Sequence, residues 1–120
     1  MSNVKRGEVW LCDLGEDNKR GCEQKSLRPI LIVSNNIGHI YSTICMGAIV
    51  TSRHKHKLPT HLIIPDYVNL HEESQALMEH IVCVDVIRLT KLLGQINVRD
   101  MSIVNRKLKI ALGLEGDKND

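Results

Sequence analysis

Gly21–Asn36 reads GCEQKSLRPILIVSNN, and this stretch sets both the architecture and the place where chemistry is expected. Pro29 fixes its own φ and pushes Arg28 into an extended conformation. The run Ile30-Leu31-Ile32-Val33 is apolar and largely β-branched, as in a strand buried on both faces. Arg28 therefore stands where a polar loop becomes a stiff strand. Glu23 and Gln24 lie just upstream, with Gly21 as a hinge, so a carboxylate, an amide and a guanidinium can converge on one small volume. A guanidinium placed there suits a phosphate, because its planar fork offers paired donors and keeps its charge. The structural alternative is an ion pair between Arg28 and Glu23 at a surface turn.

Working outward, Glu8–Leu14 predicts a first strand opened by Gly7. Gly15–Leu27 is polar and reads as a functional loop rather than a simple hairpin turn. Arg28–Ser34 is the second strand, and Asn35–Ser42 a turn or short helical connection. Thr43–Ser52 is a third strand, bent at Gly47, with Thr51 presenting its hydroxyl at the sheet margin. A fourth strand runs from Leu58 to Ile64 and is closed by Pro65, followed by an irregular polar segment, Asp66–Ser74. Gln75–His80 and Ile81–Val86 read as one or two short strands, since β-branched residues disfavour a helix there. Arg88–Ile96 is expected to form an edge strand. Met101, Val104, Leu108 and Ala111 recur at helical spacing, with Asn97 and Asp100 at the start and Gly113 at the end of an amphipathic helix. The expected fold is α+β and mostly β: a strongly bent antiparallel sheet or small barrel with a C-terminal helix.

The chain has 120 residues, suited to one domain over 1–114 with a disordered tail at 115–120. Hydrophobic residues make up 42% and charged residues 25%, a composition typical of soluble globular proteins. MSNVKRGEV carries no apolar signal segment, so a cytoplasmic location is the expectation. The cysteines at 12, 22, 45 and 83 form no C-x-x-C pair. Three fall in expected strands and read as small core hydrophobes, while Cys22 lies in the polar loop. A net charge of +2 is too small to announce a polyanion ligand, but its distribution is uneven. Ser52-Arg53-His54-Lys55-His56-Lys57 follows the third strand, and Lys19, Arg20, Lys25 and Arg28 make a second cluster. Two such loops flanking one site would attract a polyanion; the alternative is a solvated basic turn. Phe is absent and only Trp10, Tyr41 and Tyr67 are aromatic, so base recognition would have to use hydrogen bonds, His rings and Arg planes. The histidines show no zinc-ligand spacing, and no metal site is expected.

Lys5-Arg6-Gly7-Glu8-Val9-Trp10 with Asp13-Leu14, Glu23-Gln24, Arg28-Pro29-Ile30-Leu31-Ile32-Val33 with Asn35, Ala48-Ile49-Val50-Thr51, Leu58-Pro59-Thr60-His61, and Asp85 with Arg88-Leu89 follow one another in a specific order. Together, from about Val4 to Leu114, they resemble the MazF/PemK family of toxin endoribonucleases from bacterial type II toxin–antitoxin pairs. The resemblance implies a small SH3-like barrel that forms a homodimer. It also implies metal- and cofactor-free, sequence-specific cleavage of single-stranded RNA, and restraint by a small MazE-like antitoxin. In such cleavage the ribose 2'-hydroxyl attacks its own phosphate, leaving a 2',3'-cyclic phosphate and a 5'-hydroxyl. Carried over by the motifs, Arg28 would neutralise phosphoryl charge and Thr51 would donate a hydrogen bond to the phosphate, with Glu23 first in line as general base. Gln24, Lys25, Ser52, Arg53, His54, Lys55 and His56 are the candidate substrate contacts. The competing expectation is a non-catalytic toxin of the same fold that binds a protein such as DNA gyrase.

Overall fold

Strand β2, Leu27–Ile32, runs through the middle of a six-stranded antiparallel sheet. The computed structural model describes residues 3–15, 27–52 and 58–115. Within them β1 spans Glu8–Asp13, α1 Asn36–Tyr41, β3 Ile44–Thr51, β4 His61–Ile63, β5 Gln75–Asp85, β6 Leu89–Gln95 and α2 Val98–Ala111. The strand order is β4-β5-β3-β2-β1-β6. Among the described residues the sheet does not close into a barrel by ladder pairing: β4 and β6 are its edges. The mostly-β, α+β class expected from the sequence is the one observed.

Ile30, Leu31 and Ile32 are all fully buried because β2 is sandwiched between two apolar clusters. Ile30 and Ile32 face Val4, Cys12, Cys45, Ile49 and Val84 on one side of the pleat. Leu31 faces Val9, Ala48, Val50, Ile96 and Val104 on the other, where Met101, Leu108 and Ala111 of α2 complete the packing. Each of the three strand residues contributes about 1.5–3 kcal/mol by leaving water. Gly47 makes room for this packing: a Cβ there would lie 2.6 Å from Ile30 Cδ1 and 3.0 Å from Ile30 Cβ. Helix α2 begins as the sequence suggests, with the Asn97 side chain accepting from the Asp100 amide at 2.8 Å. It ends at Gly113, whose φ is 74°.

Several pieces of the ordered motif serve the framework. The buried Glu8 carboxylate accepts from the Lys5 amide at 2.8 Å and from Trp10 Nε1 at 2.9 Å, locking the start of β1. Arg6 Nε donates to the Val33 carbonyl at 2.8 Å, tying the N-terminal segment to the end of β2. Asp85 accepts from the Ile87 amide at 3.1 Å, and Arg88 Nη1 donates to the Asp13 carbonyl at 3.2 Å. His61, buried at the start of β4, places Nε2 2.7 Å from Glu79 Oε2, while Thr60 Oγ1 donates to Glu79 Oε1 at 2.7 Å.

Four local readings need correction. The fourth strand is shorter than Leu58–Ile64, because Pro59 has no amide for a ladder and Leu58–Thr60 form a turn into His61–Ile63. The two expected pieces form one strand, Gln75–Asp85, carrying an irregularity: Ala48 pairs with Ile81 but Ile49 pairs with Leu77. Arg88 lies in a 3₁₀ turn, Val86–Arg88, and the edge strand starts at Leu89. Cys12 and Cys45 are buried, but Cys83 is exposed. Burial pushes the Cys45 thiol up to about 11, with the neighbouring Cys12, Asp85 and Cys83 adding to the effect. Cys22 and the tail at 116–120 lie outside the described residues. No helix among the described residues is long and apolar enough to cross a membrane.

Gly47→Ala is expected to destabilise the fold by about 1–3 kcal/mol, read as a lower melting temperature, because Ile30 cannot move aside without disturbing the cluster it shares with Cys12, Cys45 and Ile49. A second expectation concerns Glu79. Partial burial alone would raise its pKa, but the hydrogen bonds from Thr60 and His61 outweigh that and hold it below the usual glutamate value. A depressed pKa stabilises the folded state above the unfolded value, and this contribution is lost as pH falls through the folded one. Glu79→Gln should therefore melt ~1–3 °C below wild type at neutral pH, and the gap should close in acid.

Candidate active site

Pro29 shapes the site. With no amide hydrogen it can serve as a ladder donor to neither neighbour. The β1–β2 pairing nonetheless runs from Leu27 to Leu31, whereas the β2–β3 ladder begins only at Ile30 opposite Ile49. Continuing that antiparallel register by two residues brings Arg28 level with Thr51, and residues directly opposite share a face of the pleat. Arg28 is held from its other side by pairing with Cys12, and Thr51 by pairing with Gln75. Two anchored strands therefore flank an unzipped end of the ladder.

A cleft of about 590 Å³ opens at this point, bounded by Arg28, Thr51 and Ser52 together with Leu70, His71 and Glu72. Pro29 and Val50, which belong to the opposite pleat face, also bound it, so the cleft wraps over the sheet margin. The Arg28 side chain is exposed, whereas Thr51 is only 5% exposed. The guanidinium can swing to meet a ligand, while the hydroxyl is fixed by its strand. Among the described residues Arg28 forms no ion pair.

Of the residues singled out from sequence, Arg28, Thr51 and Ser52 are thus brought to one cleft. Glu23, Gln24, Lys25, Arg53, His54, Lys55 and His56 lie outside the described residues. The pairing of Arg28 with Glu23 weighed above lies outside them with Glu23. Sequence reasoning missed the far wall. His71 and Glu72 come from the polar segment between β4 and β5, and add an imidazole and a carboxylate to the cleft. The only signal was a cluster of titratable residues, His71-Glu72-Glu73, placed between two strands. Among the described residues no three His, Cys, Asp or Glu side chains gather as a metal site would require.

An exposed guanidinium beside a fixed hydroxyl can take a phosphodiester, the first neutralising charge and the second donating a hydrogen bond. Comparison with known proteins agrees with the kind of molecule this describes. A curated relative from Staphylococcus saprophyticus, named Endoribonuclease MazF, is 36% identical over 113 residues, covering 92% of each chain. The structure of an endoribonuclease in complex with its cognate antitoxin from Mycobacterial species matches with a TM-score of 0.78 at 25% identity, covering 95% of this chain and 99% of that one. The fold is also that of MazE–MazF from Deinococcus radiodurans, with a TM-score of 0.76 at 22% identity over 96% of this chain and all 100% of that one. The model of the PemK-like, MazF-like toxins of type II toxin–antitoxin systems matches residues 5–112. With nearly its whole length matched in sequence and in fold, the chain belongs to that toxin family.

Proposed function

We propose that this toxin is a sequence-specific endoribonuclease that cuts single-stranded mRNA in the cytoplasm without a metal. The observation that carries the reading is the meeting of Arg28 and Thr51 across the open end of the β2–β3 ladder, on the rim of one cleft. The ribose 2'-oxygen attacks the adjacent phosphorus, the bond to the 5'-oxygen breaks, and a 2',3'-cyclic phosphate and a 5'-hydroxyl result. Arg28 neutralises the charge that builds on the phosphoryl oxygens, and Thr51 donates a hydrogen bond to one of them. Neither is a proton carrier at neutral pH. Glu23 takes the 2' proton, the departing 5'-oxygen gains a proton from solvent, and Gln24 holds the nucleotide in place. Lys25, Ser52, Arg53, His54, Lys55 and His56 hold the flanking phosphates. The substrate brings its own nucleophile, so none of the cysteines is required.

The working unit is a homodimer with one toxin domain in each chain. Exposed Ile37, Ile40 and Tyr41 on α1 and Ile44 and Met46 on β3 supply apolar surface for it. A MazE-like antitoxin restrains the enzyme, as the complexes of the relatives suggest.

Incubating the purified protein with a long transcript in EDTA tests the activity. Discrete fragments with 5'-hydroxyl ends are expected; intact RNA at micromolar protein would point instead to a toxin that binds a protein such as DNA gyrase. Arg28→Ala and Thr51→Ala should each slow cleavage roughly 100-fold or more while leaving the circular dichroism spectrum unchanged. Wild-type rates in both variants would remove these residues from the reaction.

A further inference from the structure

Two smaller hollows share walls with the Arg28–Thr51 cleft, and they differ in charge. One, of about 480 Å³, is bounded by Asp66, Glu72 and Glu73. The other, of about 270 Å³, has no carboxylate in its wall and carries Lys91. A polyanion leaving the cleft is repelled by the first and drawn to the second. The second hollow is continuous with the cleft through Pro29, Leu70 and His71, which line both.

Its floor is a row across three strands. Leu11 pairs with Pro29 on one side and with Lys91 on the other, so the three share one face of the sheet. Leu93 follows two residues after Lys91, on that same face. The roof is the segment Asn69–His71, pinned by the Asn69 amide donating to the Leu93 carbonyl at 2.9 Å. Apolar side chains below, an imidazole at the junction with the cleft, and an exposed side-chain amide at the rim make a slot for one flat heterocycle. Among the described residues no hydrogen bond engages the Asn69 side chain.

Resting on the nuclease reading above, we propose that this hollow is a nucleobase subsite that reads the base next to the scissile phosphate. The His71 ring stacks on the base, a task for which this Phe-less chain has few other rings. Asn69 presents one donor and one acceptor, the pattern that matches an adenine edge. Lys91 holds the phosphate beyond it. The hollow thus supplies part of the sequence preference from the framework itself, outside the loops that flank Arg28.

Mapping every cut in an RNA pool randomised around a central site tests this, using the full chain and its Asn69→Asp, His71→Ala, His71→Phe and Lys91→Ala variants. Asn69→Asp is expected to lose discrimination at one position flanking the cut by roughly tenfold or more, with cytosine gaining, because an acceptor-only carboxylate suits the cytosine amino group. His71→Ala should relax the same position, and His71→Phe should restore the rate there by keeping a stacking ring. Lys91→Ala should weaken cleavage of all sequences alike and lessen its salt dependence. If wild type cuts and the Asn69 and His71 variants keep its preference at every position, the subsite is wrong and the nuclease reading stands. If wild type cuts nothing, the nuclease reading falls and the subsite falls with it.

Discussion

Everything in the structure depends on β2 being buried on both faces while its third residue, Pro29, has no amide hydrogen to give to a ladder. Ile30, Leu31 and Ile32 bind the two apolar clusters into one framework. That rigidity stops abruptly at Pro29, where the β2–β3 ladder ends. A stiff sheet with one unzipped end is a way of placing an exposed cation beside a buried hydroxyl without spending further structure on either. The same few residues therefore explain why the fold holds and why the cleft is where it is.

The rest of the molecule keeps the two strands from moving. Arg28 is tied through its backbone to β1 and Thr51 to β5, so the gap between them is set by partners on the far sides. Arg6 and His39 fasten the N-terminal segment to the end of β2 and to α1, with His39 Nδ1 3.0 Å from the Val4 carbonyl. Helix α2 covers the Leu31 face and leaves the sheet margin open. Stability and site geometry are separable here: the groups that fasten the framework lie away from the cleft, while Arg28 and Thr51 line it.

What could be read in the sequence was local and patterned. The β2 run, the first strand, the capped C-terminal helix and its glycine stop all follow from periodicity and from residues with strong backbone preferences. That Arg28 and Thr51 come to one cleft follows from antiparallel register. What escaped was decided by distant partners. Nothing local in His71-Glu72-Glu73 says that this segment walls a cleft built from β2 and β3. The slip in β5 lies just past Leu77, where its pairing with β4 stops, and Cys83 is exposed on a strand face left uncovered. Leu58–Thr60 failed to join β4 because Pro59 sits where a ladder amide would be needed.

The central claim is spatial: one phosphodiester reaches both Arg28 and Thr51. A crystal structure of the protein with an oligoribonucleotide blocked by 2'-O-methylation at the cleaved position tests it most directly. The account predicts a single phosphate with oxygens within hydrogen-bond distance of the Arg28 guanidinium and the Thr51 hydroxyl. An RNA bound with its backbone elsewhere on the sheet, touching neither side chain, would contradict it.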